Sequence, residues 1–370
     1  MDAGTARVAE RVDAGEFEAD ASPPATAGDG TRPQALGPAV LTGTIRSAPE
    51  DFVVEEMLGF EPTGQGEHLF LTLEKRGANT VWVAQQLARW AGVPEHAVGY
   101  AGLKDRHALT RQAFTVHLPG REAPALESLA IEGVAVLAAS RHARKLPRGA
   151  LRGNRFRLSV REVRGVPDAI AQRLAQIAAR GVPNRFGEQR FGRDGGNLGA
   201  ARELFAGRRF AREKRSILIS SARSELFNRI LDERIRQAAW DRALPGEVFM
   251  LDGSHSVFVP QADDEALDAR LAAFDIHPTG ALWGAGEPRS SEAVRAIEDA
   301  VAAADPQLAS GLAGAGLKQE RRALRLPVRA LAWSMVGDVL SLAFELPAGS
   351  YATAVLDALG AMRDGSRPGT

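Results

Sequence analysis

Gly99-Tyr100-Ala101-Gly102-Leu103-Lys104-Asp105-Arg106-His107-Ala108-Leu109-Thr110-Arg111-Gln112-Ala113-Phe114 sets three charged groups and a histidine between a glycine pair and a strand-like run. The glycines mark tight backbone, and residues 111–118 read as a strand, so the polar cluster stands where an apolar strand should begin. Asp105 lies within two residues of Lys104, Arg106 and His107, cations that favour its ionised form. An anionic carboxylate among cations on a loop is a candidate catalytic group. The plainer alternative is a solvated turn, and these residues alone leave both open.

Upstream, residues 51–58 (DFVVEEML) and 68–75 (HLFLTLEK) read as strands, and the Gly64-Gln65-Gly66 turn between them predicts that they are neighbours. Asn79 or Thr80 caps a helix with Val81, Ala84, Leu87 and Ala88 on one face, stopped by Gly92 and Pro94. Downstream, 134–140 is a strand candidate, and 155–163 alternates Phe156, Leu158 and Val160 against Arg155, Arg157, Ser159 and Arg161. A helix carrying Ile170, Leu174 and Ile177 closes at Gly181. Helices are then expected at 198–205, 221–239 (Leu226, Ile230 and Ile235 inward), 292–304 and 319–324. Short strands flank an Asp252-Gly253 turn, and a strand at 339–346 precedes a short helix. Strand-rich ends around a helical middle predict one α+β domain interrupted by a second.

The chain has 370 residues, enough for two domains. It has no cysteine, which excludes disulfides and thiolate metal sites and fits a reducing cytoplasm. No apolar run is long enough to span a membrane, and the N-terminus lacks the basic and apolar regions of a signal peptide. Residues 1–40 are poor in large apolar side chains and are expected to form a disordered acidic tail. Lys and Arg balance Asp and Glu overall, but residues 141–157 hold seven cations and no acid. Cations again outnumber acids over 181–236. Such clustering on a neutral chain is the footprint of phosphate binding or of a merely solvated basic face.

Several chemistries are unsupported. Gly187 to Asn197 is glycine-rich but has no phosphate-loop or dinucleotide fingerprint. It reads as a structural junction or as a turn offering free N–H groups to an RNA phosphate. There is no G-x-S-x-G, and the seven histidines show no metal-ligand spacing. The Asp263-Asp264-Glu265 trio lacks calcium-loop spacing and reads as a helix start.

The GYAGLKDRHALTRQAF stretch resembles the catalytic motif of the TruD family of tRNA pseudouridine synthases. PEDFVVEE (49–56), RHARKLPRGALRGNRF (141–156), VPNRFGEQRFGRDGGNL (182–198), ARSELFN (222–228) and LPAGSYAT (346–353) resemble further motifs in the family's order. The resemblance covers 41–359 and implies an α+β fold. A pseudouridine-synthase catalytic domain, with a mixed, mainly antiparallel sheet flanked by helices, would be built from 41–180 and 326–370. An inserted α+β domain would occupy 181–325. The implied reaction isomerises uridine to pseudouridine, at uridine 13 in the D arm of tRNA, without cofactor or metal, in a cytoplasmic monomer with no membrane partner. By the same resemblance Asp105 is the nucleophile, and Phe52, Asn154 and Phe156 form the substrate pocket. Tyr351 falls where relatives often carry Phe, and Arg46 where a cation approaches the aspartate. Arg144, Lys145, Arg148, Arg152 and Arg190 would hold the RNA backbone. The uridine must leave its stack, so an aromatic platform and an amide reading the base edge fit the chemistry. Attack at C1′, addition at C6 and deprotonation at C2′ all remain open.

Overall fold

The computed structural model describes residues 32–261 and 265–366. The packed chain starts ahead of the expected boundary at residue 40. Leu36 and Val40 lie against the core, Val40 N donates to Leu359 O, and Arg173 donates to Pro38 O at 2.9 Å and to Ala358 O at 2.6 Å. The tail assignment is therefore corrected for 33–40, and its remainder up to residue 31 lies outside the described residues.

Ten strands form one mixed sheet. From the first half of the chain come β1 (Leu41–Ile45), β2 (Phe52–Met57), β3 (His68–Arg76), β4 (Val98–Tyr100), β5 (Leu109–His117), β6 (Val134–His142) and β7 (Gly153–Gly165). Helix α1 (Thr80–Ala91) follows β3, and α2 (Pro167–Arg180) follows β7. Strands β2 and β5 run parallel, whereas β3 pairs antiparallel with both β5 and β6. The expected pairing of β2 with β3 is thus wrong: β5 intervenes. The connection through Gly64 and Gly66 crosses over it instead of turning tightly.

Between the two halves lies a region with its own four-stranded sheet. It contains β8 (Val182–Pro183), α3 (Gly196–Phe205), α4 (Arg212–Arg236), β9 (Phe249–Leu251), β10 (Val257–Phe258) and α5 (Leu267–Ala272). It continues with β11 (Ile276–Leu282), α6 (Glu292–Ala303), α7 (Pro306–Gly314), β12 (Glu320–Ala323) and β13 (Arg325–Leu326). The chain then returns to the large sheet through β14 (Arg329–Val336), β15 (Val339–Pro347), α8 (Thr353–Leu359) and β16 (Gly360–Asp364). Strand β15 pairs with β7, and β16 runs parallel to β1.

Several expectations are revised. Helix α4 begins at Arg212, nine residues early, because its first turns carry charge and bury nothing before Leu218. Residues 319–324 were expected to be helical, but 320–323 form a strand in register with β11. There Arg321 reaches Glu298 at 2.8 Å in the interior, so a tertiary ladder overrides the helix preference of Glu, Arg and Ala. On α1, Val83 takes the inward position expected of Val81, which is 43% exposed. Asn79 caps that helix as expected, accepting from Val81 N at 2.9 Å. Of the acidic trio, Asp263 and Asp264 lie outside the described residues, and α5 starts beyond it at Leu267.

Side chains alternate across a sheet, so register decides which residues share a face. Phe156 pairs with Val54 and Phe344, Asn154 with Glu56 and Leu346, and Leu71 and Leu73 with Phe114 and Gln112. These residues all lie on one face. One apolar cluster on it, with α2 and α8, holds Phe52, Phe156 and Phe344; another, with α1, holds Leu71, Leu73 and Phe114. A polar row, Asn154–Glu56–Gln112, crosses the sheet between them. Among the described residues no helix is long and apolar enough to cross a membrane.

Candidate active site

Asp105 lies in the loop joining β4 to β5, at the end of that polar row. The loop is anchored by buried hydrogen bonds. Glu56 accepts from Lys104 Nζ at 2.6 Å, from Gln112 Nε2 at 3.2 Å and from Ala113 N at 3.0 Å. Gln112 also donates to Gly102 O at 2.7 Å and accepts from Thr80 Oγ1, which in turn accepts from Lys104 N. The Glu56 and Lys104 side chains are almost wholly buried. In such surroundings an ion pair is tolerated only when its remaining donors and acceptors are satisfied. Glu56 and Gln112 drew no attention in the sequence, since each looks like an ordinary strand residue. Their shared face becomes visible only in the register.

The neighbours of Asp105 do not supply its counter-charge, contrary to the local reading. Lys104 turns inward to Glu56, and Arg106 Nε donates to His107 Nε2 at 3.1 Å. Asp105 Oδ1 accepts from His107 N at 3.0 Å, an Asx turn. The cation is Arg46, just beyond β1, whose Nη2 is 3.2 Å from Asp105 Oδ2. Arg46 Nη1 lies 3.2 Å from Asp364 Oδ2 on β16, and its guanidinium sits 4.2 Å from the Phe52 ring centroid. Arg46 adopts φ +57°, a left-handed conformation uncommon outside glycine. Asp105 is 41% exposed and Arg46 13%. The carboxylate thus faces solvent on a guanidinium fixed from behind.

The Phe52 ring meets that of Phe156 edge-on at 6.4 Å, and Phe156 stacks on Phe344 at 5.4 Å. Asp51, at the foot of β2, takes both Nε and Nη2 of Arg161, which pins the start of β2 to β7. Asn154 is buried, and its Oδ1 has no hydrogen-bond partner. An orphaned buried amide oxygen costs about 1–3 kcal/mol unless a partner arrives. Tyr351 stands apart, 63% exposed on the loop ahead of α8.

One lysine was missed by sequence reasoning. Lys75 pairs in register with Thr110 and is buried, donating to Ala78 O at 3.2 Å. Burial, helped by Lys104 and opposed by Glu56 and Asp105, pushes its ammonium down to about 8.

Among the cations assigned to RNA, Arg144, Arg148 and Arg152 are exposed on the loop from β6 to β7. The Arg148 guanidinium lies 3.6 Å over the Tyr100 ring, and Lys145 Nζ donates to His96 O. Arg190 is remote from that loop in sequence and bonds Ser220 Oγ at 3.0 Å. A cleft of about 770 Å³ beside β1 and β16 contains none of these residues. Among the described residues no cluster of His, Asp and Glu could hold a metal ion.

The family model for tRNA pseudouridine synthase D (TruD) matches residues 36–199 and 202–359. A protein named tRNA pseudouridine synthase D from Xanthomonas axonopodis pv. citri is 53% identical over 353 residues, covering 90% of this chain and 96% of that one. One of the same name from Methylococcus capsulatus is 51% identical over 327 residues, covering 88% and 92%. A solved structure from Methanosarcina mazei, described provisionally as tRNA pseudouridine synthase D, superposes with a TM-score of 0.68 at 22% identity, over 88% of this chain and 95% of that one. That likeness carries the fold: α+β, with a mixed, mainly antiparallel sheet flanked by helices. The family match runs from ahead of β1 to the end of α8, through the region between the two stretches of the large sheet, and the chain belongs to the tRNA pseudouridine synthase D (TruD) family.

Proposed function

We propose that the protein isomerises uridine to pseudouridine in tRNA, at uridine 13 of the D arm, with Asp105 as the nucleophile. The single observation that carries this reading is the Arg46–Asp105 pair, an exposed carboxylate on a guanidinium held from behind by Asp364. Family membership supports the reaction class. In the reaction the C1′ bond passes from N1 to C5, the C5 proton leaves, and N1 ends protonated, so no oxidant, reductant or second substrate is consumed. Whichever of C1′, C6 or C2′ the carboxylate engages, it must be charged and positioned before the base arrives, and the Asx turn and Arg46 serve that need. The unpartnered oxygen of Asn154 suits an N–H of the flipped base.

Residues 41–180 and 326–370 act, in this reading, as the catalytic domain, and 181–325 as the inserted one. Two separate sheets support that division. The cations at 144–152 and Arg190 hold the backbone, so binding weakens steeply with salt.

The test incubates unmodified tRNA with the protein and maps carbodiimide-resistant adducts by primer extension. Wild type is expected to yield one adduct in the D arm, and Asp105→Asn none. An adduct elsewhere removes the position 13 assignment. An Asp105→Asn variant with full activity removes Asp105 as the nucleophile, and a wild type that binds tRNA without modifying it overturns the enzyme reading in favour of an RNA-binding or RNA-folding protein.

A further inference from the structure

Far from Asp105, the end of β5 borders a second constellation. Strand register sets His68 of β3 opposite His117 of β5 on one side and His142 of β6 on the other. The rings of His68 and His117 stack with centroids 4.5 Å apart and planes 21° from parallel. They line a cleft of about 350 Å³ whose other walls include His96, Arg121 and Lys145. Gly99 lets this wall form: a Cβ there would sit 2.7 Å from Leu146 O and 2.8 Å from Lys145 Cγ. Glycine at 99 therefore allows the 145–146 segment to lie against β4.

The charge balance is one-sided. Arg121 Nη2 donates to Ala91 O at 3.1 Å, Lys145 Nζ to His96 O at 2.6 Å, and the adjoining Arg141 to Arg121 O at 2.7 Å. Each of these cations meets a carbonyl, and among the described residues none has a carboxylate within ion-pair distance. The residues lining the cleft include no acid, and Glu67, beside them, has its Oε2 3.4 Å from His117 Nε2. His68 Nδ1 is buried with no partner. Uncompensated cations beside an unsatisfied imidazole define a place for an anion with several acceptor oxygens.

We propose that this cleft is a second RNA contact, a subsite for a backbone phosphate whose donors are His68, His117, Arg121 and Lys145. The inference rests on RNA being the substrate. Leu109 and His117 bound β5, eight steps of about 3.3 Å, so the subsite lies roughly 26 Å beyond the start of that strand. A nucleotide flipped onto Asp105 cannot fill it; another part of the same RNA must. Lys145 belongs to the basic run of the β6–β7 loop, whose Gly149 N donates to Ala101 O beside the Asp105 loop. A cationic track therefore connects the two places.

The imidazoles make this contact pH-dependent. His68 faces Glu67 just ahead of its own strand, His117 on β5, His142 on β6 and Lys145 on the loop. Burial and the neighbouring positive groups hold it below the ordinary histidine range, with Glu67 opposing them. A bound phosphate favours imidazolium, so binding takes up a proton and tightens as pH falls.

The test measures tRNA binding by fluorescence anisotropy at pH 6.0 and 8.0 over a salt series, using the Asp105→Asn full-length protein so that nothing is turned over. The parent should bind about tenfold more tightly at pH 6.0. His68→Gln/His117→Gln should lose that gain while binding within about threefold of the parent at pH 8.0. Lys145→Gln, on an exposed loop and safe for folding, should lower the salt slope by about one. An undiminished pH gain in the histidine pair, or an unchanged slope in Lys145→Gln, overturns the proposal. Histidine ring signals in NMR separate the sources of phosphate. If inorganic phosphate moves those of His68 and His117 while tRNA does not, the cleft is a free-anion site and the RNA assignment falls. If tRNA binds with this pH signature yet wild type makes no pseudouridine, the subsite stands and the catalytic reading fails. Absence of any tRNA binding removes both.

Discussion

Arg46 and Asp105 meet at 3.2 Å although they lie on different strands' ends, while Lys104, next to Asp105 in the chain, points away into the protein. The guanidinium fork touches Asp105 with one nitrogen and Asp364 with the other, and its face covers Phe52. An ammonium cannot reproduce that geometry. Arg46→Lys is expected to lower the single-turnover rate of pseudouridine formation about tenfold, and Arg46→Ala by about 10²–10³, the range for loss of one preorganised electrostatic contact. Binding of tRNA should change little. Full activity in Arg46→Ala would remove this residue from the site.

The Glu56–Lys104 pair makes a separable prediction about stability. Glu56→Leu strands a buried ammonium and should destabilise the fold by about 3–5 kcal/mol in urea unfolding. Glu56→Leu combined with Lys104→Met removes both charges and should recover most of that loss. The single variant should also slow catalysis, because Lys104 carries the backbone into Asp105. If the double variant is no more stable than the single one, the pair is not what anchors the loop.

Lys75 gives a pH dependence with a defined sign. Its ammonium is pushed down to about 8 from 10.5, so between those values the unfolded chain binds more protons than the folded one. Stability from this group therefore rises with pH across that window, and the cost of burying the charge is fully present below about pH 8. Lys75→Met should be more stable than wild type at pH 7 by about 1–3 kcal/mol, with the gap narrowing toward pH 10. Parallel unfolding curves for the two proteins at pH 7 and pH 9.5 would contradict it.

Phe156 and Tyr351 should part company in thermal unfolding. Phe156 is packed between Phe52 and Phe344, so Phe156→Ala should cost about 3–5 kcal/mol as well as activity. Tyr351→Phe removes only an exposed hydroxyl and should leave stability within about 0.5 kcal/mol. Any effect of that change belongs to RNA handling. A Phe156→Ala protein as stable as wild type would show that its ring is not part of the core.

The strands and caps were legible because they rest on local rules. Asn79 and Gly92 bound α1, and the alternation of 155–163 marks β7, where Phe156, Leu158 and Val160 are buried. Asp105 was singled out as a candidate through its motif. What local reading assigned wrongly was the origin of the charge beside it, since sequence distance ranks Lys104, Arg106 and His107 ahead of Arg46. Asp364, Glu56, Gln112 and Lys75 were invisible for the same reason: each becomes a neighbour of the site only once β5 has slotted between β2 and β3, and β16 beside β1. Residues 320–323 were misread because Glu, Arg and Ala favour helices, and only the β11 ladder and Glu298 say otherwise.

The pairing of β1 with β16 has a consequence for biosynthesis. A ribosome that has completed 359 residues has already produced Arg46, Asp105, Asn154 and Tyr351, yet the strand that flanks β1 and the carboxylate that holds Arg46 from behind are still untranslated. Until residues 360–364 emerge, the nascent chain carries Arg46 without the carboxylate of Asp364. Competence therefore waits for that strand, and a product truncated just short of it should leave Arg46 without its partner on β16.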